Sequence, residues 1–144
     1  MEPTEAKLDY TNAKDFILAG NALFTLVSQK TGARYTYKVR KSESKPGYPE
    51  CHFVKLLTGP QNTADYTYIG MIRDGKFKTT AKSKLPVTSA PVAGFDWTLE
   101  KLTAGQEPKH LEIWHAGRCG RCGRVLTVPE SVQNGFGPEC IGRI

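Results

Sequence analysis

The chain has no apolar run approaching the roughly 18 residues that a membrane-spanning helix requires, so no span is expected. Cysteine is scarce: Cys51, Cys119, Cys122 and Cys140 are the only four, and three cluster near the C-terminus instead of spreading as the pairs of a secreted disulfide framework. A glycine-rich phosphate loop, a G-x-S-x-G turn, an H-E-x-x-H pair and a close carboxylate pair are all missing. Asp65, Asp74 and Asp96 stand in turn or helix-cap settings, where solvation explains them, so no catalytic residue is assigned. The start, Met1-Glu2-Pro3-Thr4-Glu5-Ala6, is polar and acidic, unlike a signal or transit peptide; with clustered thiols this predicts a cytoplasmic protein. No internal repeat or low-complexity segment is visible. What is present is a chain of 144 residues, 39% hydrophobic, with 6 Tyr, 6 Phe and 2 Trp, enough to bury a real core. Lys and Arg number 20 against 14 Asp and Glu; the net charge of +6 favours an anionic partner.

Hydrophobic period divides the chain. Residues 1–15 read as a polar lead-in, ordered from Leu8 onward, with regular structure from Phe16. Leu23–Ser28 and Arg34–Arg40 flank a turn closed by Gly32, which is a hairpin, and in its second strand Tyr35, Tyr37 and Val39 face opposite to Arg34, Thr36, Lys38 and Arg40. Lys41–Glu50, with Pro46, Gly47 and Pro49, is a loop. His52–Thr58 is a third strand, and Tyr66–Ile72 with Phe77–Thr79 forms a second hairpin on Asp74-Gly75. Consecutive hairpins imply an antiparallel meander. Beyond Pro86 the period becomes helical: Val92, Phe95, Leu99 and Leu102 form one stripe between a Ser89 cap and Gly105, predicting a helix over about 89–104 that covers the sheet. Leu111–Trp114 is a short strand leading to His115. The expectation is an α+β chain, with an antiparallel β-rich domain over residues 1–108 and a small zinc module over 109–144.

That module rests on H-x3-C-x2-C-x17-C, which is His115, Cys119, Cys122 and Cys140. Zinc takes thiolate and imidazole ligands in a tetrahedron, and a structural site fills all four positions from protein. So short a segment has little core of its own, and the metal would supply most of its folding free energy. Cys119-Gly120-Arg121-Cys122-Gly123 has the form of a zinc knuckle. Thr127 and Glu130 form a capping box, Asn134-Gly135 ends that helix, and Pro138 starts a further turn carrying Cys140 at its positive end. His115 is the chosen fourth ligand, with His110, His52 and Cys51 as alternatives. His110-Leu111-Glu112 ahead of Cys119 superficially resembles the signature of zinc nucleobase deaminases. The short separation, the absence of a proline before Cys119 and a tetrahedron without an open position argue against that chemistry.

The run from Gly117 to Cys140, with the pattern C-x2-C-G-R-x-L-T-x-P-x-S-x3-G-x-G-P-x-C, resembles a functionally uncharacterised zinc-finger-like domain of phage, prophage and plasmid proteins. Ala19–Val27 and Leu57–Gly70 resemble, more weakly, the region that often precedes it. The resemblance implies the three cysteines as ligands and a setting in a bacterial host; it implies no activity.

Basic clusters point to nucleic acid, DNA or RNA. Arg118, Arg121, Arg124 and Arg143 crowd the knuckle; Arg34, Lys38 and Arg40 line one strand face; Lys76, Lys78, Lys82 and Lys84 follow the second hairpin. Such groups neutralise phosphates, and Tyr35, Tyr37, Tyr66 and Tyr68 stack on bases where exposed, although tyrosines alternating with charges more often form a core face. The alternative is a protein-binding module that modulates or inhibits host machinery such as a defence nuclease, since zinc modules also serve as protein platforms.

Overall fold

The computed structural model describes residues 6–42, 51–59, 65–115, 117–124, 126 and 134–137. Its elements run β1 (Ala6–Leu8), α1 (Tyr10–Ile17), β2 (Asn21–Ser28), β3 (Arg34–Lys41), β4 (His52–Leu57), β5 (Tyr66–Arg73), β6 (Lys76–Lys78), α2 (Ala90–Thr103) and β7 (Leu111–His115). Every pairing is antiparallel, in one seven-stranded sheet of order β1-β7-β2-β3-β4-β5-β6. The architecture is therefore α+β. The predicted meander occupies β2 to β6, and β7 returns to pair with β2, leaving β1 outside it. Most of the loop expected over Lys41–Glu50 lies outside the described residues, and Lys41 itself ends β3.

Local chemistry explains the regular elements. Along β3 Tyr37 and Val39 are buried while Arg34 and Arg40 are exposed, the two-residue period of a half-buried strand. Asp74 and Gly75 take φ of 54° and 75°, the left-handed pair that matches a two-residue hairpin to strand twist. The α2 stripe, Val92, Phe95, Leu99 and Leu102, is buried on the sheet, with Ser89 at the cap and Gly105 at φ 74° beyond the end. Tyr37 packs on Phe95 with ring centroids 5.1 Å apart and donates its hydroxyl to the Pro91 carbonyl. Burial first, and Tyr35 second, push that phenol up from its ordinary pKa.

Among the described residues the single covering helix of the sequence reading is corrected to two, α1 and α2. Residues read as a polar lead-in form β1 and α1, whose cap Asp9 accepts the Thr11 N–H at 3.2 Å. α1 buries only Ala13, Phe16 and Ile17, too few apolar positions to announce a helix but enough to seat one. Phe16 is fully buried and meets Phe24, His115 and Phe136 at centroid distances of 6.4, 5.7 and 6.0 Å. Both Gly120 and Gly135 lie against its ring: an added Cβ would come within 2.6 Å and 2.7 Å of Cδ2. Among the described residues no helix is long and apolar enough to cross a membrane.

Phe16→Ala should destabilise the chain by about 3–5 kcal/mol, because the ring fills space lined from three directions that cannot all collapse. Urea denaturation measures this, and a loss below about 1 kcal/mol would show that Phe16 is not the seat of the C-terminal segment.

Candidate metal centre and nucleic-acid interface

The residues after β7 fold back on themselves through their backbone. Cys119 N–H donates to the Arg124 carbonyl at 2.8 Å and Gly123 N–H to the Cys119 carbonyl at 2.9 Å, with Gly123 at φ 80°. This reversal aims the N–H groups of Arg121 and Cys122 at Cys119 Sγ, at 3.4 and 3.5 Å. Burial pushes the Cys119 thiol up. The backbone N–H groups of Cys122, Gly137 and Arg121, together with the Cys122 side chain, outweigh it and bring the group down to about 7. The Arg118 guanidinium donates to the Gly123 carbonyl at 3.2 Å and braces the turn. Two further bonds dock it: Gly120 N–H to the Gly135 carbonyl at 2.9 Å, and Asn21 N–H to the Gly120 carbonyl at 2.8 Å.

Cys119 and Cys122 thus lie close together across a tight turn, and neither is in a disulfide. The donor chemistry fits zinc: two adjacent sulfurs, one held toward the thiolate by hydrogen bonds that a coordinated sulfur also accepts. Cys140, the capping box at Thr127 and Glu130, the turn at Pro138 and Arg143 lie outside the described residues, though Gly135 has the predicted left-handed conformation, with φ 82°. Among the described residues no three His, Cys, Asp or Glu side chains converge as a metal site. His115 is 1% exposed and packs on Phe16; its Nδ1 accepts the Gly117 N–H at 2.9 Å, which puts the proton of the neutral ring on Nε2. Coordination through Nδ1 would exchange that bond for the metal.

The alternative ligands have other surroundings. Cys51 is buried where its carbonyl accepts the Ser42 N–H at 2.8 Å and its own N–H donates to Ser42 Oγ at 3.1 Å. His52 Nε2 is 2.8 Å from the Leu18 carbonyl. His110 is exposed, at φ 62° in the turn before β7. Glu112 lies one residue out of phase with His115, ion-paired to Lys7 at 3.8 Å and bonded to Gln29 at 3.4 Å.

Both helices pack on one face of the sheet, and the other face carries the cations of β3. Lys38, Arg40, Phe53, Lys55, Tyr68, Ala81, Lys82 and Lys84 line a groove of about 650 Å³ there, and no acidic side chain is among them. Cross-strand pairs Lys38–Lys55 and Arg40–Phe53 form its floor. Burial, then Arg40 and Lys55, lower the pKa of Lys38, and its ammonium lies 4.5 Å from the Tyr66 ring centroid. The far wall is pinned: Lys84 N–H donates to the Tyr68 carbonyl at 3.1 Å, Thr80 N–H to Ser83 Oγ at 2.8 Å, and the Tyr68 hydroxyl meets Thr80 Oγ1 at 3.2 Å.

The structure therefore brings together only part of the predicted basic set. Lys38 and Arg40 share the groove with Lys82 and Lys84, whereas exposed Arg34 stands at the other end of β3. Arg118, Arg121 and Arg124 are exposed on the knuckle. Asn21 relates the two regions, because it pairs with Arg40 in the sheet while its N–H holds Gly120. Tyr37 belongs to the core, and Tyr66 and Tyr68 to the groove side. Phe53 and Lys55 were missed by the sequence reading, although the alternation of buried Val54 and Leu56 with these two residues carried the signal.

The depressed Cys119 thiol generates a prediction for the metal-free protein. Its folded pKa lies below the unfolded value, so its contribution to stability is present above the unfolded pKa and is lost as pH falls through about 7. Thiolate absorbance against pH should contain one step near 7 that Cys119→Ser removes; a single unshifted step would overturn the reading.

Two comparisons return no match, either to a curated protein or to a solved structure. Residues 114–144, the segment that holds the knuckle, match a family of unknown function, DUF6011.

Proposed function

We propose that this chain is a non-enzymatic nucleic-acid-binding protein whose C-terminal segment is organised by zinc. The groove carries the proposal. Five cations line one recess with two aromatic rings and no carboxylate. The Lys7–Glu112 ion pair is on β1 and β7, and Lys38, Arg40 and Lys55 have no carboxylate partner among the described residues. Like charges gathered this way repel, and Lys38 already feels that repulsion. A polyanion relieves it and releases its own counterions, the dominant sequence-independent term in nucleic-acid affinity.

Zinc has a structural role in this reading. Cys119, Cys122 and Cys140, with His115 as fourth ligand, would close the coordination shell and leave no position for a reacting water. When bound, the metal supplies folding free energy and fixes the knuckle arginines beside the strand end that bears Arg40. Arg118 then acts as a brace through Gly123, and Arg121 and Arg124 are the knuckle groups offered to phosphates.

Fluorescence anisotropy of labelled oligonucleotides across a salt series tests the interface. Lys55→Ala and Lys84→Ala, at exposed positions, should each weaken binding at every sequence and lower the slope of log K against log salt by about 0.7–0.9. Absence of binding at low salt would reject the nucleic-acid reading and favour a protein partner. Native mass spectrometry tests the metal: stoichiometric zinc is expected in the parent chain and in Cys51→Ser, and its retention in Cys119→Ser would overturn the assignment. Loss of zinc in His115→Ala is the expected result for the fourth ligand.

A further inference from the structure

We infer that the groove on the open sheet face takes single-stranded nucleic acid, with a base stacked on Phe53 between flanking phosphate contacts. The inference rests on the nucleic-acid reading and adds the form of the strand. Phe53 is 39% exposed, a large aromatic left uncovered on the floor of a basic recess. Its ring is 6.3 Å from that of Tyr68 and tilted 58° to it, so the two rings form a corner and not a closed stack. Tyr68 is held by its hydroxyl contact with Thr80, and that wall of the corner is fixed before any ligand arrives.

A duplex does not suit this shape. Its base faces are covered by their neighbours, and its edges are read by a helix or ribbon that projects into a groove about 12 Å wide. Here the aromatic is recessed and the cations stand around it: Lys38 and Lys55 pair across adjacent strands, Arg40 pairs with Phe53 itself, and Lys84 rises on the far wall. Only an unpaired base can turn its face into such a recess while its backbone stays among the ammonium groups. The volume of about 650 Å³ is in the range of sites that enclose a small ligand, and it accommodates a base with its sugar and phosphate.

The test compares labelled single-stranded DNA and RNA with duplex of the same sequence, using the zinc-loaded full chain. Single strands should bind at least about tenfold more tightly than duplex. Phe53→Ala should lose roughly five- to a hundredfold in affinity for single strands, the range of one stacked base, with little change for duplex. Phe53→Trp should keep the affinity, and its fluorescence should fall on binding. Circular dichroism of Phe53→Ala should match the parent, since the ring lines the groove and is not part of the buried core. Equal affinity for both forms together with an unaffected Phe53→Ala would overturn the inference while leaving the nucleic-acid reading in place; loss of all binding by the parent chain at low salt would remove both. DNA bound more tightly than RNA, or the reverse, would support the inference and identify the source of the strand.

Discussion

One phenylalanine ring holds the parts of this protein together. Phe16 projects from a short helix into the sheet, meets Phe24 and His115 there, and is capped by Phe136 and the backbones of Gly120 and Gly135. The close approach explains why glycine stands at both positions: a side chain at either would occupy the volume of the ring. The turn that carries Cys119 and Cys122 is consequently seated on a buried aromatic and tied to Asn21 at the start of β2. The packing of the described residues near the C-terminus therefore depends on a helix near the other end of the chain.

The sequence foretold what depends on local pattern. Alternation in Arg34–Arg40 and the Asp74-Gly75 turn announced the hairpins, and the stripe from Val92 to Leu102 announced α2, because each sits in a segment long enough for its period to repeat. α1 was illegible for the opposite reason: eight residues with three buried positions barely complete one repeat. The place of β7 between β1 and β2 was also hidden, since five residues of strand pattern do not name their neighbours. At the candidate site, the tight turn that brings Cys119 and Cys122 together was legible in their spacing and in Gly123. The gathering of Lys38 and Arg40 with Lys55 and Lys84 was not, because it depends on the register of three strands and on a segment folded back by Lys84.

Charge is distributed unevenly over the open face. Toward β1 and β7, Glu112 is engaged with Lys7 and Gln29, so acid and base cancel locally. Toward β3, β4 and β5 the exposed groups are lysine and arginine with aromatic rings between them. Net charge alone could not distinguish a protein with solvated cations spread evenly from one that concentrates them in a recess. Register makes the difference: Lys38 opposite Lys55 is an arrangement that costs folding free energy, and it is tolerated beside a face open to water and counterions.

The two outermost strands, β1 and β6, are each three residues long. A seven-stranded sheet normally carries the hazard of recruiting further strands through unpaired backbone groups, and brevity at both margins suppresses it. Strand addition is thereby discouraged at the rims, and the broad surface opposite the helices presents side chains rather than backbone groups. Side chains on that surface can be exchanged without disturbing a ladder bond, so its chemistry is free to drift in evolution while the scaffold stays fixed.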